Sequence, residues 1–183
     1  MQYHEKERNE RRVKVVSKYK DYAVKARLNN FDEVEKILIS INAVFVGVDS
    51  QIDYYFETDK GKLKYRKGTI ENLITHYKRT LKDGFEKTTV YRYESNPTIK
   101  KIEELRKKKR QIGVTHKERR IYTIDNVKIH LDKLEDGQRF IEIEAMDFKN
   151  EFTDYDLINQ CMTMKSKLHI QDNDLVKTGY LRE

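Results

Sequence analysis

The sequence predicts an α+β fold, a closed antiparallel eight-stranded β-barrel with flanking helices. Three observations carry that expectation. Eight short runs alternate polar and apolar residues at period two and are separated by turn signals such as DKG, KDG and EDG. Three longer stretches repeat apolar residues at helical spacing. The polar faces of the runs are charged and sorted by sign, cationic on 61–66 and acidic on 140–144.

In chain order, residues 1–17 are charge-dense with little periodicity and read as a flexible or partly helical N-terminal extension to a domain spanning 18–183. The first run is DYAVKARL (21–28), followed by a helix over NNFDEVEKILISINA with Phe31, Val34, Ile37, Leu38 and Ile41 on one face. Asn30 and Glu33 have capping-box spacing. Four strands are expected over 43–58, 61–68, 72–80 and 87–95, rich in β-branched and aromatic residues. The segment NPTIKKIEELRKKKR predicts a helix with Asn96 as N-cap, Pro97 at its first position, and Ile99, Ile102 and Leu105 inward. Strands over 117–124, 126–134 and 139–147 follow. The last helix, DYDLINQCMTMKSKL, aligns Leu157, Cys161, Met164 and Leu168, so Cys161 reads as a small buried hydrophobe.

Composition narrows the function classes. Hydrophobic residues make up 37% and charged residues 38%, so the core is economical, yet 12 Tyr and 7 Phe supply enough bulk to fill one. A net charge of +7 favours an anionic partner. A single cysteine excludes an internal disulfide and a cysteine-rich metal site. Neither a long apolar run nor a leader-type segment is visible, which predicts a cytoplasmic protein with no membrane partner. With no GxxxxGK[ST] and no GxGxxG, side chains rather than a glycine loop must hold any phosphate.

Residues two apart share a strand face, so Lys62, Lys64 and Arg66 point one way. His76 with Lys78, Lys117 with Arg119, Lys128 with His130 and Asp132, and Glu142 with Glu144 are taken as further polar faces. A sheet with one face in water gives the same alternation. A closed barrel better accounts for charges sorted by strand, and for more sheet than three short helices can cover. Its lining of Lys and Arg with a few carboxylates suits a polyphosphate carrying a divalent metal.

In these residues the chain resembles the CYTH superfamily, the triphosphate-tunnel fold, and within it the branch of class IV adenylyl cyclases. The likeness runs through DYAVKAR against the family's ExExK, QIDYYF, GKLKYR, HYKR, KERRIY, NVKIHLD, FIEIE and DLVKTGY. It implies a cytoplasmic enzyme using Mg²⁺ or Mn²⁺ on a nucleoside triphosphate or other triphosphate, either a cyclase making cAMP and pyrophosphate or a triphosphatase. Carried over residue by residue, Lys25, Lys117 and Arg119 take catalytic positions. Arg27, Lys62, Lys64, Arg66, His76, Lys78, Arg79 and Tyr180 take substrate-binding ones, and Asp21, Asp132, Glu142 and Glu144 take the metal. The departure is on the first strand, where Asp21 and Ala23 stand in place of two glutamates. Alanine ligates nothing, so an enzyme impaired at this position and a catalytically inactive nucleotide or polyphosphate binder are both open. The basic segment 100–120 adds RNA as a partner and an RNA 5′-triphosphatase as a further reading. A monomer and a homodimer are equally compatible with the sequence.

Overall fold

Each alternating run becomes a strand, and the strands close on one another. The computed structural model of the chain describes residues 19–176. The N-terminal extension and Tyr180 lie outside the described residues. The strands are β1 (Lys20–Arg27), β2 (Val44–Phe56), β3 (Lys62–Gly68), β4 (Leu73–Lys82), β5 (Phe85–Ser95), β6 (Gln111–Ile124), β7 (Val127–Leu134), β8 (Arg139–Asp147) and the short β9 (Leu175–Val176). The order is β5-β4-β3-β2-β6-β7-β8-β1-β9, and β1 also pairs with β5. That extra pairing, from Lys20↔Thr89 to Ala23↔Glu86, closes an eight-stranded antiparallel barrel. β9 occupies the rest of the same β1 edge at Lys25 and Ala26, so the β1 edge is covered along its length by β5 and β9.

The helices α1 (Asp32–Ser40), α2 (Ile99–Lys108) and α3 (Asp154–Lys167) lie outside. Closure turns the apolar strand faces outward, and helices are needed to cover them. Tyr22, Val24, Ile129, Leu131, Ile141 and Ile143 pack with Val34 and Leu38 of α1 and with Leu157, Cys161 and Met164 of α3. Phe56, Leu63, Tyr65 and Ile74 form a smaller cluster under Leu105 and Ile102 of α2. Burying each such aliphatic side chain contributes roughly 1.5–3 kcal/mol. Arg120 and Tyr122 of β6 both bond Glu35, at 2.7 and 2.8 Å, and tie α1 to the barrel wall. Among the described residues no helix is long and apolar enough to cross a membrane.

The helix starts differ from expectation. Asn30 Oδ1 accepts from the Asp32 backbone N–H at 3.1 Å, a turn within the loop, so α1 begins after Phe31 with no side-chain cap. Asn96 adopts a left-handed φ of 50°, and Thr98 caps α2 instead, its hydroxyl accepting from the Lys101 N–H. The later start makes Ile99 the first helical residue, and it faces water while Leu105 is buried. α3 carries a capping box between Thr153 and Asp156 that spacing alone left unmarked. Gly61, in the β2–β3 turn, has φ +64°, and a Cβ there would collide with the Tyr77 carbonyl.

Candidate functional site

Barrel closure aims the charged faces into one cavity. Lys64 and Arg66 of β3, Tyr77 and Arg79 of β4, Lys117 and Arg119 of β6, His130 of β7, Glu142 and Glu144 of β8, and Asp21 and Lys25 of β1 all line it. Lys25, Lys64, Arg66, Lys117 and Arg119 are buried, which is costly for a cation unless it is paired.

On the basic wall the pairing is supplied by one carboxylate. Fully buried Asp53 of β2 accepts from Lys64 Nζ at 3.0 Å, from Lys117 Nζ at 3.1 Å, and from Arg66 through Nε and Nη2 at 2.7 and 2.9 Å. Arg66 also reaches Glu71 at 3.1 Å. Burial pushes the Asp53 carboxyl up, but Arg66, Lys64 and Lys117 together outweigh it and hold it well below the usual carboxylate range. The cations pay in the other direction: burial first, then the charge of Arg66, lowers the Lys64 ammonium to about 8. Lys117 is likewise driven well below its ordinary value by burial, with Arg66 and Arg119 adding to it against Asp53. Beside them Arg119 grips Asp132 in a two-pronged bond of 2.6 and 2.7 Å.

The opposite wall is acidic and less satisfied. Strand register sets Glu142 between His130 of β7 and Lys25 of β1, and Glu144 between Lys128 and Ala23. Lys25 Nζ lies 3.2 Å from Glu142. Arg79 crosses from β4 and donates to both Glu142 oxygens at 3.3 Å, with Glu86 at 3.3 Å and Glu144 at 3.8 Å. Burial raises the Glu142 carboxyl, but Arg79 and Lys25 more than offset it and keep it ionised. Asp21 is fully buried with neither carboxylate oxygen in a hydrogen bond of good geometry. Burial, then the charge of Glu144, pushes its carboxyl well above the ordinary range. Both ring nitrogens of buried His130 also lack a hydrogen-bond partner.

A family model for the CYTH domain matches residues 20–180, almost the whole chain. The chain is a CYTH-domain protein. Solved structures agree on the fold. The PH1012 protein of Pyrococcus horikoshii is 25% identical with a TM-score of 0.72, over 87% of this chain and 96% of that one. A conserved hypothetical protein of Pyrococcus furiosus is 18% identical with a TM-score of 0.72, over 87% and 97%. A candidate adenylate cyclase of Vibrio parahaemolyticus is 16% identical with a TM-score of 0.66, over 87% and 94%. A search of curated proteins found no match.

Within this CYTH barrel, Asp21, Lys25, Lys64, Arg66, Arg79, Lys117, Arg119, Glu142 and Glu144 meet in one cavity. Others do not. The inner residues of β4 are Leu73, Thr75, Tyr77 and Arg79, so period two turns His76 and Lys78 outward. The His76 ring meets Tyr91 at a tilt of 57° with centroids 4.9 Å apart, its Nε2 lies 2.8 Å from the Lys60 carbonyl, and Lys78 is exposed. Both faces of β4 are polar, so alternation alone left its phase undetermined. Arg27 is exposed at the end of β1, bonded to Gln138 at 2.9 Å and lying over the Phe140 ring. Lys62 is half-buried and does not line the cavity. Asp132, expected to face a metal, has both oxygens engaged by Arg119. Asp53 and His130 were not assigned to the site. Their inward phase was visible in QIDYYF and NVKIHLD, but their partners sit on other strands.

Proposed function

We propose that this CYTH tunnel binds the phosphate chain of a nucleoside triphosphate or another triphosphate together with a divalent cation, and catalyses attack at phosphorus. The observation that supports it most is the basic wall. Lys64, Arg66 and Lys117 converge on the single carboxylate of Asp53, and two of the three have depressed ammonium pKa values. The oxygens of a polyanion accept charge-assisted hydrogen bonds from the same donors, so it can take over part of the neutralisation that Asp53, Glu71 and Asp132 supply.

Lys64, Arg66 and Arg79 are assigned to binding the chain of phosphates. Lys25, Lys117 and Arg119 stabilise the negative charge spread over the transferring group, a task of positioning and electrostatics rather than covalent chemistry. Asp132 keeps the Arg119 guanidinium oriented, and Asp53 does the same for its three partners. Asp21, Glu142 and Glu144 are the carboxylates suited to Mg²⁺ or Mn²⁺, and the buried oxygens of Asp21, which make no hydrogen bond of good geometry, fit such a role. When bound, the cation neutralises phosphate oxygens and lowers the barrier to displacement. Attack by water on the terminal phosphorus releases orthophosphate. Attack by a ribose 3′-hydroxyl on the α-phosphorus releases pyrophosphate and closes a cyclic nucleotide.

Incubating the protein with Mg²⁺ or Mn²⁺ and ATP, tripolyphosphate, thiamine triphosphate or 5′-triphosphate RNA, then resolving products, tests the reading. Cyclic nucleotide with pyrophosphate identifies a cyclase, and orthophosphate a triphosphatase. A second reading is favoured by Ala23, which faces Glu86 and Glu144 in register and offers no donor. It is a binder that holds triphosphate without turnover, and binding with no product in the same assay selects it. No binding of any triphosphate refutes both.

A further inference from the structure

The two β7–β8 partners His130 and Glu142 stand side by side in register, and Glu144 is two residues further along the same face. This geometry brings one ring nitrogen of His130 and one oxygen from each glutamate within 4.8 Å of one another. His130 Nδ1 is 3.9 Å from Glu142 Oε1, too far for a hydrogen bond, and the side chain is only 4% exposed. A buried imidazole with neither nitrogen satisfied is costly, and it points at two carboxylates. Fully buried Asp21 adds a further carboxylate next to Glu144, with neither oxygen in a hydrogen bond of good geometry.

We propose that His130, Glu142 and Glu144 form a mixed nitrogen–carboxylate centre that favours Mn²⁺, Co²⁺ or Zn²⁺ over Mg²⁺; the proposal rests on the metal-dependent reading above. Imidazole is a ligand for borderline transition ions, whereas Mg²⁺ takes oxygen donors and keeps its waters. Lys25 and Arg79 now occupy Glu142. A metal on that carboxylate competes with both, and so frees two cations for an anion in the same cavity.

Metal-depleted full-length protein is titrated with CoCl2, and separately with MgCl2, by calorimetry and visible absorbance, with no triphosphate present. The expected result is one tight Co²⁺ site with d–d absorbance and much weaker Mg²⁺ binding. His130→Gln should weaken Co²⁺ binding about tenfold or more and leave Mg²⁺ binding nearly unchanged. Equal Co²⁺ affinity in the variant, or Mg²⁺ binding as tight as Co²⁺ in the unaltered chain, overturns the centre. If the variant does not fold, the unaltered protein still decides. Pulsed EPR with MnCl2 should show ¹⁴N coupling, and Mn²⁺ should broaden the NMR resonances of the buried His130 ring. Absence of either effect overturns the proposal. Tripolyphosphate binding in EDTA is measured in parallel. Its loss counts against the triphosphate reading alone, because the Co²⁺ titration contains no phosphate.

Discussion

Lys117 Nζ donates to Asp53 Oδ2 at 3.1 Å, joining β6 to β2 across 64 positions of sequence in the wall of the tunnel. Neither residue would be stable there alone. The carboxylate offsets three buried cations, and each cation offsets the desolvation of the carboxylate. This wall of the tunnel is thus a set of mutually dependent charges.

Removing the balance tests this directly. Asp53→Asn removes the shared counter-charge of Lys64 and Lys117 and leaves Arg66 with Glu71 alone, and should cost ~3–5 kcal/mol in urea unfolding. Tripolyphosphate at about 100 times its Kd should return roughly 2.7 kcal/mol to a variant that still binds it. A variant as stable as the parent would show that Asp53 is not the counter-charge.

Binding should be lost from the cations in turn. Lys64→Ala and Arg66→Ala should each raise the tripolyphosphate Kd by ~10- to 100-fold, the worth of a charged hydrogen bond. Lys78→Ala, on the outer face of β4, should change it little. Calorimetric titration of the three variants distinguishes the inner set from the outer.

Affinity should fall at alkaline pH. The Lys64 pKa is about 8, below its ordinary value, so the free protein loses this charge as pH rises through that point. Phosphate binds the protonated form, so binding takes up a proton, and Kd should rise by up to ~tenfold per pH unit above about 8. Depressed Lys117 acts in the same direction. Below that range the Lys64 contribution is constant. Titrations in buffers of different ionisation enthalpy measure the proton uptake.

The first strand supplies a gain-of-function test. Ala23 is 1% exposed and lies opposite Glu144 on one side and Glu86 on the other. Ala23→Glu adds a carboxylate to an acidic wall and should lower Tm in EDTA by ~3 °C or more. MnCl2 should restore it with a larger Tm rise than in the parent chain. Thermal melts in both conditions decide, and equal metal-induced shifts would mean that position 23 does not face the cation.

Much of this was legible because period two is a local property. The runs 21–28, 61–68, 117–124 and 139–147 each announce a strand and, in β1, β3, β6 and β8, which side chains share a face. Seven of the eight runs carry motifs in the order of the CYTH pattern, and that resemblance pointed to the family. Where a strand is polar on both faces the phase is ambiguous, and His76 and Lys78 were placed on the wrong side of β4 for that reason. Helix caps also resisted, since Asn30 and Asn96 found local turns that competed with capping.

Partnership lay beyond the sequence. Asp53 and Asp132 are both acids in alternating strands, yet one neutralises three cations and the other is committed to Arg119. Nothing within QIDYYF or NVKIHLD distinguishes those roles. Which side chain lies opposite which depends on cross-strand register and on closure of β1 against β5, contacts between residues far apart in the chain. The sequence by itself determined the eight barrel strands, the charged faces of β1, β3, β6 and β8, and the likeness to the family. The tertiary structure alone decided which charges meet, because electrostatic pairing depends on distances that only the closed barrel sets.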